Sequence, residues 1–124
     1  MKIHMEVSTT PIDGVLVIEP RVFGDHRGFF TEYWSQPRYA EVVRHEQFVQ
    51  DNLSCSRKGV LRGVHVQNPN PQGNLVYVLY GEVFDLVVDI HLGSPTFGQW
   101  YGVTLSVENR KRFYTCRPCA PSSL

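Results

Sequence analysis

Residues Asn74 to Ile90 read N-L-V-Y-V-L-Y-G-E-V-F-D-L-V-V-D-I, two β-branched and aromatic runs broken by Gly81. Such runs favour extended backbone, and the glycine between them marks a turn. The same grammar extends outward in both directions. Upstream, Val15 to Glu19 is a short β-branched run closed by Pro20, and Gly24 to Gly28 is a turn cluster feeding the aromatic run Phe29 to Trp34. Gln47 to Asn52 and Gly59 to Gln67 read as further strands. Downstream, Gly93-Ser94-Pro95 is a turn before Gln99 to Leu105. The one helical signal is Ser35 to Glu46, where Ser35 can cap, Pro37 suits the first turn, and Tyr39, Val42 and Val43 share a face. Many strands, one short helix and regular turns predict an all-β antiparallel sandwich or barrel.

Composition narrows the functional classes. The 124 residues are enough for a single domain, and the formal net charge is zero. There is thus no electrostatic footprint for nucleic acid or an anionic membrane. No run approaches the roughly 18 apolar residues of a membrane span. The opening M-K-I-H-M-E-V is unlike a signal peptide, and three cysteines imply no disulfide framework. The expectation is a soluble cytoplasmic protein.

Within Gly59 to Gln67, G-V-L-R-G-V-H-V-Q, an arginine and a histidine stand in an apolar run. His65 has the side chain whose ordinary pKa lies nearest neutrality, so it can exchange a proton there. On position alone, a packed histidine bonded to backbone is the favoured reading, and only the neighbouring residues reverse it. Metal-binding β-barrels of the cupin type use a His-x-His on one strand face. Here Gln67 takes the second place, which predicts a metal-free site. Cys116 and Cys119 form a lone C-x-x-C, a weak zinc signal without a second pair. Polar residues inside the apolar strands say more: Arg27 and Glu32 flank Phe29 and Phe30, Gln50 and Asn52 alternate, and Asp85 interrupts its strand. Hairpin-end solvation and cross-strand ion pairs account for each singly. Together they supply an anion-binding arginine, stacking aromatics and neutral hydrogen-bonding groups, the parts of a sugar-nucleotide pocket.

These residues fall into motifs. V-F-G-D-H-R-G-F-F-T-E, F-V-Q-D-N-L-S, G-V-L-R-G-V-H-V-Q, G-E-V-F-D-L-V-V-D-I and S-P-T-F-G-Q-W follow one another in the order of the dTDP-4-dehydrorhamnose 3,5-epimerases, which the chain resembles from about Pro11 to Arg112. The resemblance implies a cupin-like jelly roll, a homodimer, no cofactor, and a dTDP-linked 4-keto-6-deoxy sugar as substrate on the way to L-rhamnose or other deoxysugars. It makes His65 the base that removes a proton beside the ketone, leaving an enolate that is reprotonated from the other face. It places Arg27 and Arg62 at the diphosphate or sugar, Glu32, Gln50, Asp51 and Asn52 around the nucleotide, and Phe29 or Phe30 at the wall. Strict alternation sets Arg62 and His65 on opposite faces, so a bulge or twist is expected at Gly63.

Two departures qualify what the resemblance implies. The family reads Q-G-K-L-V where this chain has Q-G-N-L-V, so Asn74 stands in place of the lysine that steadies the enolate. An amide donates a hydrogen bond to an oxyanion but brings no charge. After E-N-R-K-R-F-Y the family continues through Ile-Pro-x-Gly-x-Ala-His into strands that supply a tyrosine acid and the aspartate partner of the base. Here residues 113–124 form an atypical tail whose end, Arg117 to Leu124, carries two prolines and no periodicity, and is expected not to extend a sheet. One back-translation of Tyr114 to Pro121, read one base later, gives Ile-Pro-Ala-Gly-Leu-Ala-His. The expectation is a C-terminally truncated or frameshifted member. The alternatives to a 3,5-epimerase are a mono-epimerase acting at one carbon and a non-catalytic sugar-nucleotide binder.

Overall fold

The computed structural model describes residues 5–43, 48–63, 73–115 and, as backbone, 119–123. Among the described residues, nine strands and one short helix follow in chain order: β1 Met5–Thr9, β2 Leu16–Pro20, β3 Val22–Asp25, β4 Gly28–Thr31, α1 Gln36–Ala40, β5 Asn74–Val76, β6 Glu82–Asp89, β7 Trp100–Ser106, β8 Arg112–Thr115 and β9 Cys119–Ser123. They form an antiparallel four-stranded sheet in the order β1-β2-β8-β5, a three-stranded sheet in the order β7-β6-β9, and the separate hairpin β3-β4.

Alternation along β2 and β8 explains how the layers close. Val17 pairs with Phe113 and both point into a core shared with Ile12, Val15, Val87 and Leu105, which joins the four-stranded sheet to β6 and β7. Their neighbours Ile18 and Tyr114 point the other way and meet Tyr39 and Val43 of the helical segment. The central strands are therefore covered on both faces, and all four residues of β8 are buried. Burying side chains of this size contributes about 1.5–3 kcal/mol each.

Most of the expected strands are present. Val15 to Glu19, Asn74 to Tyr80, Glu82 to Ile90 and Gln99 to Leu105 coincide with β2, β5, β6 and β7, although β5 stops at Val76. The aromatic run Phe29 to Trp34 is a strand only through Thr31. The turn cluster is itself mostly strand, because Asp25 pairs with Gly28 and only His26 and Arg27 form the loop. The helix is shorter than Ser35 to Glu46. It begins after Ser35 with proline in its first turn, and Arg38 lies in its last turn. Residues 44–47 lie outside the described set.

Two expectations are corrected. Residues 48–52 are irregular rather than a strand: Val49 and the three residues after it are exposed, so alternation there meets no partner surface. The tail does extend a sheet, since β9 pairs with β6 from Asp85↔Ser123 to Asp89↔Cys119. Pro121 is tolerated because β9 is an edge strand, where a missing N–H need not break a ladder on both sides. Cys116 lies outside the described residues.

Strand β7 contains a close approach. A Cβ placed on Gly102 would collide with the ring of Phe84, which lies directly over it from β6. Gly102→Ala is expected to destabilise the fold by about 1–3 kcal/mol, as overpacked sites do. Chemical denaturation checks this; an unchanged midpoint would show that Phe84 moves aside freely.

Candidate functional site

The hairpin β3-β4 carries two of the expected site residues. Its two-residue loop is fixed by Asp25, whose Oδ1 accepts the Arg27 backbone N–H at 2.8 Å while Oδ2 accepts from Arg27 Nη2 at 2.7 Å. The Arg27 side chain and backbone hold the Asp25 carboxyl below its ordinary pKa. The Arg27 side chain stays 79% exposed, so the guanidinium is aimed but open. Phe23, Arg27, Phe29 and Phe30 line a shallow concave surface on this hairpin. Phe29 is exposed on one side, and the Arg110 guanidinium lies 3.8 Å from its ring centroid.

Glu32 follows the hairpin and is engaged locally. Arg38 Nε donates to its Oε1 at 2.7 Å, and that bond lowers its pKa, burial opposing and the charges of Arg38 and Arg112 assisting. Its backbone carbonyl accepts from Arg112 Nη2 at 2.9 Å. Arg112 Nη1 also donates to the Tyr33 carbonyl and the Tyr39 hydroxyl. The guanidinium lies 5.2 Å from the Tyr33 ring centroid and 5.0 Å from that of Tyr77, and those rings stack on each other. Sequence reasoning missed this anchor. Its signal was a charged residue alternating with Tyr114 across Phe113 in R-F-Y.

The remaining expected residues divide between two places. Gln50 donates to Asn52 Oδ1 at 3.2 Å, and both, with Asp51, lie on the exposed irregular stretch. Arg62 lies in an isolated bridge near by, where its Nε donates to Ser56 Oγ at 2.8 Å. Gly63 takes φ 110, so the backbone leaves regular extension where the change of face was expected. His65 and Gln67 lie outside the described residues. Asn74 opens β5 opposite Thr115, on the face that Val76 and Phe113 turn to the inter-sheet core.

Asp85 lies on the inner face of β6, in alternation with Val83 and Val87, and is 3% exposed. Asn74 and Asp85 thus both line the interior of the sandwich. Burial pushes the Asp85 carboxyl up to about 7, with the Leu86 backbone N–H opposing. Asp89 has the same orientation but the opposite outcome: burial raises its pKa, and bonds from Ser94, Thr96 and the His91 backbone N–H more than reverse this. Asp89 therefore serves the β6–β7 turn. Among the described residues no three His, Cys, Asp or Glu side chains group to hold a metal ion, and none of the helices is long and apolar enough to cross a membrane.

Asp85 has a pH signature. Its ordinary value is 3.8 and its folded value is about 7, so in that window the folded state holds a proton the unfolded chain has released. Stability falls as pH rises from about 4 to about 7 and is lowest above it. Asp85→Asn removes the penalty and is expected to stabilise the protein at pH 8 by on the order of 2–4 kcal/mol, with little gain near pH 4. Melting curves across that range check the prediction; an equal gain at both pH values would contradict it.

Antiparallel sheets packed face to face around a shared core place the chain among the cupin-like jelly rolls. The profile of the dTDP-4-dehydrorhamnose 3,5-epimerases matches residues 9–122, and the chain belongs to that family. It is 54% identical over 112 residues to the dTDP-4-dehydrorhamnose 3,5-epimerase of Shigella flexneri, covering 89% of this chain and 62% of that relative. The structure of the dTDP-6-deoxy-D-glucose-3,5-epimerase of Legionella pneumophila in complex with dTDP-4-keto-L-rhamnose superposes with a TM-score of 0.92. That pair is 53% identical, over 97% of this chain and 64% of the other. A 3'-monoepimerase from Streptomyces bikiniensis in complex with dTDP-quinovose is 30% identical, with a TM-score of 0.84, over 93% of this chain and 59% of the other. The chain thus spans somewhat under two thirds of the length of these relatives.

Proposed function

We propose that this chain binds a dTDP-linked 4-keto-6-deoxy sugar and epimerises it at C3 and C5 in the cytoplasm, as a homodimer without metal or cofactor. The route is the synthesis of L-rhamnose or another deoxysugar. The observation that carries this reading is the run G-V-L-R-G-V-H-V-Q at residues 59–67, in a chain 53% identical to an epimerase whose structure holds the dTDP-keto-sugar.

The chemistry assigns roles by residue type. A 4-keto group acidifies the C–H bonds at C3 and C5. His65 takes one of these protons, and the electron pair moves into the enolate. Return of a proton from water to the opposite face inverts the carbon. Asn74, lining the interior, donates a hydrogen bond to the enolate oxygen but no charge. Arg27 and Arg62 meet the diphosphate, Phe29 forms part of the wall, and Gln50, Asp51 and Asn52 surround the nucleotide. Glu32 contributes through its pairing with Arg38. Phe30, exposed on the hairpin face opposite Phe29, is part of the surface a second protomer covers.

A second reading, action at one carbon, turns on the same residue: loss of either proton puts charge on the one C4 oxygen, and Asn74 brings no cation to it in either step. Incubation with the 4-keto sugar nucleotide in deuterium oxide separates the readings. Deuterium at C3 and C5, lost in His65→Asn, is the expected result, and Asn74→Lys is expected to accelerate exchange roughly 10- to 100-fold. Deuterium at one carbon supports the mono-epimerase. Thymidine diphosphate raising the melting point without exchange supports a non-catalytic binder. Absence of both binding and exchange refutes the proposal.

A further inference from the structure

Arg110 has φ 55, a left-handed conformation that glycine or asparagine adopts more easily than an arginine does. The turn between β7 and β8 demands it. The Arg110 backbone N–H donates to the Ser106 carbonyl at 3.0 Å, and Asn109 Oδ1 accepts from the backbone N–H groups of Ser106 and Lys111 at 3.1 and 2.9 Å. A glycine would serve this turn without strain, so something else must offset the arginine.

The offset lies across the molecule. The Arg110 guanidinium covers the Phe29 ring at 3.8 Å from its centroid, a cation–π contact between the β7–β8 turn and the hairpin β3-β4. The hairpin needs a brace, because it is a two-stranded sheet that joins no third strand among the described residues. Phe29 stands two residues from Arg27, whose guanidinium Asp25 holds at the loop. The two share one hairpin, so a contact that fixes the pose of the hairpin at Phe29 also fixes where its loop carries the exposed cation. A narrow cleft lined by Pro20, Thr31, Tyr33 and Arg110 lies at the hairpin's base.

The geometry points to Arg110 as a positioning residue that clamps Phe29 and thereby presents Arg27 to the diphosphate of the nucleotide. This rests on the reading that the chain binds a sugar nucleotide, and it assigns the β7–β8 turn a part in that binding.

The test exploits the strain. Arg110→Gly relieves the backbone and removes the clamp, so a purely local role and a positioning role diverge. The expected result is a melting point that is unchanged or higher, faster amide exchange across residues 22–31, and a Kd for thymidine diphosphate raised about two- to fivefold. Arg110→Lys, which keeps a cation, is expected to recover part of both losses, and Phe29→Leu to reproduce them. Unchanged hairpin exchange in Arg110→Gly overturns the clamp, and faster exchange with an unchanged Kd overturns the link to binding. If the unaltered protein binds no thymidine diphosphate, the sugar-nucleotide reading fails. The exchange comparison then still decides whether Arg110 braces the hairpin.

Discussion

The structure depends on a buried cation. Arg112 is 1% exposed at the start of β8, in the middle of the four-stranded sheet. A charge so placed is tolerable only when its donors are satisfied. The Tyr33 and Glu32 carbonyls and the Tyr39 hydroxyl accept from it, and the faces of Tyr33, Tyr39 and Tyr77 surround it. Those partners come from the segment between the hairpin and the helix, from the helix, and from the stretch after β5. One guanidinium thus gathers three irregular connections that the sheets alone would leave unanchored. Truncating it would leave several buried acceptors unpaired, at about 1–3 kcal/mol each.

The polar groups of the site fall into two zones with different physics. On the surface, Arg27 with Asp25 and Glu32 with Arg38 are partly solvated pairs, worth little to stability but useful for orienting side chains. Inside the sandwich, Asn74 and Asp85 occupy a medium where a charge is costly. Burial leaves Asp85 with a raised pKa, and Asn74 brings an uncharged amide to the same interior. The interior is consequently suited to donating neutral hydrogen bonds.

The regular strands were legible because their apolar residues face partners: Asn74 to Ile90 reads as two strands and folds as two. The sandwich class followed from the same alternation. Residues 48–52 misled because their alternation matches a strand while the structure gives them no surface to cover. The tail misled for the opposite reason, since two prolines argue against a strand only where both edges of the backbone are used. Of the candidate site, Arg27 was expected in a turn and Phe29 in the strand it feeds, and both lie so, on a hairpin whose first strand was not expected. Arg110 escaped because nothing local in N-R-K-R-F distinguishes a clamping arginine from a solvated one, and the one local sign at Arg112, its alternation with Tyr114, does not name partners about 80 residues upstream.

The claim that Arg112 anchors the helical segment is tested most directly by amide exchange in Arg112→Met, which keeps apolar bulk and removes the donors. The N–H groups of Tyr39, Val42 and Val43, bonded within the helical turn, are predicted to lose most of their protection. Those of β6 and β7 should retain theirs, being paired along seven positions from Glu82↔Ser106 to Val88↔Trp100. Undiminished protection at Tyr39, Val42 and Val43 would contradict the account.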